Sequence, residues 1–125
     1  MALTNDEILL KAYAAYNHQN SEALLALVSE HVDWPNGTAR LRGKGALRSY
    51  WIHQWAEIRT HDKPVQITEL APNKSVVRIR QVVRALDGLP ISKGWFEHTH
   101  QIEDGVIVRM DIQSVATATP ACDSG

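Results

Sequence analysis

Residues 91–115 read ISKGWFEHTHQIEDGVIVRMDIQSV, and this stretch decides the class of fold. Two runs rich in β-branched and aromatic residues, 91–103 and 106–115, flank Asp104-Gly105. That dipeptide enters positive φ at little cost, which suits the tight turn of a hairpin. Upstream, the run 75–86 meets 91–103 across Asp87-Gly88, and a shorter run, 65–70, is followed by the turn residues Pro72-Asn73-Lys74. Strands joined by turns this short must run antiparallel, because parallel neighbours need long crossovers. The second half therefore predicts a meander of four strands.

The first half has a different period. Thr4 and Glu7 stand three apart, as in a capping box, and apolar residues follow at Leu9, Ala12, Tyr13 and Tyr16 with helical spacing. The polar break from Asn17 to Ser21 ends this helix. Ser21 reads as the cap of a second, short helix carrying Leu24, Leu25, Leu27 and Val28. His31 to Trp34 reads as a short strand closed by Pro35-Asn36-Gly37. A loop through Arg42-Gly43-Lys44-Gly45 leads into a third helix, from about Ala46 to Ile58, with Leu47, Trp51, Trp55 and Ile58 on one stripe. Three helices must cover one face of the sheet, and a bent sheet closed by helices leaves a pocket between the layers. The expectation is a single α+β domain over residues 1–125, with a peripheral tail from about residue 116.

The totals narrow the partners. With 13 Lys+Arg against 14 Asp+Glu, the chain has no overall basic field to gather nucleic acid. It contains no apolar run of 18 residues, so no membrane span is expected. The N-terminus lacks the basic and apolar regions of a signal peptide, and a cytoplasmic location is the default expectation. The single cysteine, Cys122, has no partner for an internal disulfide and reads as inert.

The order of elements, together with VDWPNG at 32–37, LRGKGALRSYW at 41–51 and HTHQIEDGVIVRMDI at 98–112, resembles the SnoaL-like branch of the nuclear transport factor 2-like superfamily. The resemblance runs from about Thr4 to Val115. It implies a cone: three N-terminal helices on a strongly curved, mostly antiparallel sheet. It leaves function open, because the superfamily holds cyclases, isomerases, dehydratases, epoxide hydrolases and non-catalytic binders. The base of its ketosteroid isomerases falls on Trp34 rather than Asp33, and a one-residue offset in a strand turns a side chain to the other face. Their tyrosine falls on Ala12, out of register with Tyr13 and Tyr16, and their protonated aspartate falls near His98. The polyketide cyclases carry a His on the third long strand and an Asp on the last, which here are His98 and Asp111. The epoxide hydrolases use an Asp–Arg–Asp set. Arg109 and Asp111 supply two members, and no second Asp stands at a fitting place.

On this reading His98 is a candidate general base, since imidazole titrates near neutrality, and Asp111 its orienting partner. A burial cost for each polar group on a central strand favours their pairing. Each also has a plainer reading, His98 as a satisfied polar residue and Asp111 as part of a salt-bridged sheet surface. Tyr13, Tyr16, Trp34, Trp51, Trp55 and His100 are candidate substrate contacts, with core the safer reading for Trp55. Arg78, Arg80 and Arg84 alternate on one face, as an outer sheet surface would. The expected ligand is a small hydrophobic, partly oxygenated ring compound. The expected reaction is proton abstraction beside a carbonyl, leading to ring closure, isomerisation or water loss. No metal or organic cofactor is called for, because the carbonyl supplies the electron sink. The alternative is a binding or dimerisation module without chemistry. Val76, Val82, Val108 and Ile112 suggest an apolar outer face and hence a homodimer.

Overall fold

The computed structural model describes residues 3–115; the tail and Cys122 lie outside them. Helix α1 spans Asn5–Asn17 and α2 spans Ser21–Leu25. Strands β1 (Val28–Asn36) and β2 (Ala39–Arg42) form a hairpin, and α3 runs Lys44–Glu57. Strands β3 (Ile58–Ala71), β4 (Lys74–Ala85), β5 (Pro90–Glu103) and β6 (Val106–Val115) complete the chain. The sheet has six strands in the order β2-β1-β6-β5-β4-β3. All neighbours are antiparallel except β1 and β6, which run parallel because the whole chain between them serves as the crossover.

Local chemistry explains most boundaries. The Thr4 hydroxyl accepts from the Glu7 backbone N–H at 3.1 Å, and the Thr4 N–H donates to Glu7 Oε1 at 2.8 Å. Helix α2 is capped by Asn20 rather than Ser21, through an acceptor contact to the Ala23 N–H at 3.1 Å. It stops at Leu25, so that Leu27 leaves the helix and Val28, 1% exposed, opens β1. Residues 39–42, between the Pro35-Asn36-Gly37 turn and the loop that begins at Arg42, form β2: four residues are too few to show a period, and pairing with β1 supplies the order. Strand β3 begins at Ile58, seven residues before the expected start at Val65. The polar His61-Asp62-Lys63-Pro64 segment hid it. Pro64 is tolerated because β3 is an edge strand, where a missing N–H costs nothing in the ladder.

Register shifts interrupt the ladders at Val28/Asp33, Pro64/Gln66, Glu69/Ala71, Val83/Arg84 and Gln101/Ile102. Such bulges sharpen twist and bend strands, and they curl this sheet around the helices. The enclosed side carries the core. Ile8, Leu9, Leu24 and Leu47 of the helices meet Val28, Val32, Val77, Ile79, Ile102 and Ile107 of the sheet, all at most 4% exposed. Val76 and Val82 alternate with these and face outward, as expected of an outer surface. Ile112 does not join them: it stands opposite the buried His98 across the β5–β6 ladder and so lies on the inner side.

Leu9 is fully buried while its neighbour Leu10 is 51% exposed. Leu9→Ala is expected to lower the unfolding free energy by about 2–5 kcal/mol. Leu10→Ala is expected to change it by less than about 0.5 kcal/mol. Urea denaturation of both variants checks the orientation of α1.

Candidate functional site

The helices and the inner sheet face enclose a cavity of about 260 Å³. Helix α1 contributes Tyr13 and Tyr16, β1 contributes Trp34, and α3 contributes Tyr50, Trp51 and Gln54. The sheet contributes Thr60 and Asp62 of β3, Gln81 of β4, His98 and His100 of β5, and Met110 and Ile112 of β6. Ile112 is 47% exposed yet lines the cavity, so it marks the mouth.

The deep end is a hydrogen-bonded triplet. Residues 98 and 100 share the inner face of β5 because side chains alternate along a strand. The Tyr13 hydroxyl lies 2.8 Å from His98 Nδ1 and 2.8 Å from His100 Nε2. It has one proton, so it donates to one imidazole and accepts from the other. His100 Nδ1 is buried without a partner. An orphaned N–H is the rarer and costlier outcome, so the lone pair is the member left there. It follows that His100 Nε2–H donates to Tyr13, Tyr13 O–H donates to His98 Nδ1, and His98 carries its proton on Nε2. That nitrogen has no hydrogen-bond partner among the described residues, and His98 lines the cavity. Burial pushes the imidazolium pKa of His98 down to about 4; burial, helped by neighbouring His98, takes His100 to about 3. Both rings are neutral at pH 7. Burial likewise raises the phenol of Tyr13 well above its usual value.

Aromatic walls surround this triplet. Trp34 meets Trp51 edge to face at 5.6 Å and approaches His100 at 6.4 Å. Trp55, a candidate contact, does not line the cavity. It stacks on Trp51 at 6.0 Å and packs edge to face on Tyr16 at 5.6 Å. Tyr16 forms the other flank, its hydroxyl accepting from Gln54 Nε2 at 2.7 Å and Thr60 Oγ1 at 2.8 Å. Burial, with Asp62 nearby, raises that phenol to about 12.

Asp111 is not where pairing with His98 would need it. It pairs across the ladder with Thr99, one residue from His98, and strand alternation sends it to the outer face. There it forms part of an ion-pair cluster. Arg109 Nε donates to Asp111 at 2.9 Å and Arg109 Nη1 to Asp33 at 3.1 Å, while Arg40 bridges Asp33 at 2.7 Å and Asp111 at 3.0 Å. The hydrogen bond from Arg109 holds the Asp111 carboxyl below the usual carboxylate range. A second Asp for an Asp–Arg–Asp set therefore does exist, Asp33, but the set lies outside the cavity. Asp33 faces outward while Trp34 faces in, as the strand offset implied.

Sequence reasoning missed Asp62. It is 4% exposed and lines the cavity, with Gln81 Nε2 donating to Oδ1 at 2.9 Å. Burial raises its carboxyl above the usual value, opposed by the Gln81 hydrogen bond and by His61. In the sequence Asp62 sits in a polar tract that reads as loop; only its alternation with Thr60 hinted that both face inward.

The model of the SnoaL-like domain family matches residues 9–110. No curated protein sequence matches this one. Among solved structures, a candidate polyketide cyclase from Pseudomonas putida is similar at a TM-score of 0.79, with 21% identity over 91% of this chain and 93% of that one. An NTF2-like protein of unknown function from Burkholderia pseudomallei gives 0.77, with 20% identity over 89% and 90%. TerC, co-crystallised with polyporic acid, gives 0.77, with 22% identity over 89% and 91%. At these identities the likeness concerns the fold. Among the described residues, no helix is long and apolar enough to cross a membrane.

The neutral imidazoles make stability depend on pH. An unfolded His takes a proton near pH 6.5, whereas the folded ones wait until about 4 and 3. Between these values the unfolded chain holds more protons, so acidification favours unfolding. Asp62, with its raised carboxyl, acts in the opposite sense over its own window. Stability is therefore expected to be full above pH 6.5 and to fall from there toward pH 4, with a shallower fall in His98→Gln. Urea midpoints measured at stepped pH check this.

Proposed function

The chain belongs to the SnoaL-like domain family, and on that premise we propose that its cavity binds a small hydrophobic, partly oxygenated ring compound and acts on it by general acid–base chemistry. One observation carries the reading. The Tyr13–His98–His100 chain is buried and joined through the Tyr13 hydroxyl, and the tautomers assigned above leave its one unpaired N–H on His98, a residue that lines an aromatic cavity. A neutral imidazole of low basicity is a poor proton acceptor and a good fixed hydrogen-bond donor. It suits the carbonyl oxygen of a ligand whose rings pack against Trp34 and Trp51.

The order of proton positions gives the donor its strength. His100 donates to Tyr13 and Tyr13 donates to His98, so each bond polarises the next toward the cavity. As negative charge develops on a carbonyl oxygen, His98 Nε2–H stabilises it in a site from which the apolar walls exclude water. The ligand's own carbonyl accepts the electron pair, so the proposed chemistry needs no cofactor. Ring closure, isomerisation and loss of water all begin from such an enolate. TerC's co-crystallisation with polyporic acid supports a fold of this shape taking small organic molecules. The outer-face valines, Val76 and Val82, extend the proposal to a homodimer. Light scattering at micromolar concentration would then return twice the chain mass, and a monomer would remove that part.

2-Tetralone, a bicyclic ketone, is a suitable probe, with quenching of Trp34 and Trp51 fluorescence as the readout. Saturable quenching is expected in the wild type. His98→Ala is expected to retain the circular dichroism spectrum and weaken binding by about 3–10-fold, the worth of one hydrogen bond. Binding that is unchanged in His98→Ala would sink the assigned donor. Binding without any turnover or exchange would favour a module that holds its ligand and does no chemistry.

A further inference from the structure

Asp62 is a buried carboxylate for which the donor chain described above has no use. No ion pair to it occurs within 4.0 Å among the described residues; the ion pairs there involve other acids. Oδ1 accepts from Gln81 Nε2 at 2.9 Å, while Oδ2 has no hydrogen-bond partner among the described residues, and Asp62 lines the cavity. A carboxylate kept in an apolar wall without a cation is costly to the fold. This one is also held in place. The Asn17 side chain donates to the Asp62 carbonyl at 2.8 Å and accepts from the Asp62 N–H at 2.8 Å. Asn17 lies one helical turn beyond Tyr13, so α1 fixes both this carboxylate and the His98 donor across a single cavity.

We propose that Asp62 is the general base of this cavity, taking a proton from a carbon next to the carbonyl of a bound ring ketone while His98 holds that carbonyl's oxygen. The inference rests on the carbonyl reading given for His98. In the step, the substrate C–H bond breaks and an O–H bond forms on Asp62 Oδ2. The electron pair moves into the carbonyl group, giving an enolate bound to His98 Nε2–H. In a β,γ-unsaturated ketone, return of the proton from Asp62 to the γ-carbon completes an isomerisation; in a β-hydroxy ketone, its delivery to the departing hydroxyl completes a dehydration. No oxidant or reductant enters. The titratable and polar groups that line the same cavity are Tyr13 and Tyr16 from α1, Tyr50 from α3, Gln81 from β4, and His98 and His100 from β5, with His61 next to Asp62 in β3. The phenols and the buried imidazoles are neutral at pH 7, so no cation in the cavity holds the carboxyl acidic, and burial moves it toward the working range of a base.

The test uses 2-tetralone with two readouts on the full chain: binding by tryptophan quenching, and exchange of its α-hydrogens for deuterium by NMR. Wild type is expected to accelerate exchange, with a rate that rises with pH through a single carboxyl titration. Asp62→Asn removes a buried charge without changing shape, so it should fold with equal or higher thermal stability. It should bind 2-tetralone within about threefold and lose at least about 100-fold in exchange, the usual scale of general-base catalysis. Asp62→Glu should recover part of the rate. Should Asp62→Asn fail to fold, Gln81→Leu, which deletes the donor that lowers the carboxyl, should shift the pH limb upward. Binding with no exchange in wild type, wild-type exchange in Asp62→Asn, or an unmoved limb in Gln81→Leu would each overturn the assignment while leaving the pocket reading in place. Absence of 2-tetralone binding to wild type would overturn both.

Discussion

Helix α1 must meet the sheet in one register, and the cavity follows from it. Three side chains within five residues satisfy buried partners on two different strands. Tyr13 reaches His98 and His100 of β5, while Tyr16 and Asn17 reach Thr60 and the Asp62 backbone of β3. Those strands are at different places in the sheet, two ladders apart. A helix shifted by one residue would strand polar groups on both, at about 1–3 kcal/mol for each. Hydrophobic contacts of Ile8 and Leu9 hold α1 against the sheet, but they are not directional. The polar contacts select the register.

The cavity that results is paid for in stability. His98, His100, Asp62 and Tyr13 are all buried, and each is cheaper to solvate than to enclose. Among the described residues His100 Nδ1 has no partner, and Asp62 has no ion-pair partner within 4.0 Å. A chain that filled these positions with apolar residues would gain stability and lose the polar ends of the cavity. The contrast with the outer face is instructive. There Asp33, Arg40, Arg109 and Asp111 neutralise one another within 3.1 Å, in reach of water, and carry no comparable cost.

Much of the architecture is legible in residue order. The Thr4–Glu7 box, the Leu47–Trp51–Trp55 stripe, and the Asp87-Gly88 and Asp104-Gly105 turns each act over a few residues, and local energetics places them. Inward placement of His98, His100, Trp34 and Trp51 is likewise legible, because strand and helix periods are local. The boundaries that escaped are those set by pairing. β2 is ordered by β1, and the first half of β3 by β4, whatever the propensities of Arg40 or Pro64.

The partnerships of the site were decided by tertiary structure alone. His98 and Asp111 are both polar residues on central strands, and composition recommends joining them. Only the β5–β6 register, which sets Asp111 opposite Thr99, shows that a strand's two-residue alternation separates them. Asp62 is the reverse case, a charge in a polar tract that becomes a cavity wall because β4 brings Gln81 alongside and α1 brings Asn17. The sequence by itself determined most of the elements and the inward faces of Trp34, Trp51, His98 and His100, since these depend on neighbours a few residues away, but it set Ile112 and Asp111 on the wrong faces of β6. Which inward groups meet depends on contacts as distant as the 85 residues between Tyr13 and His98, and the folded sheet is what fixes them.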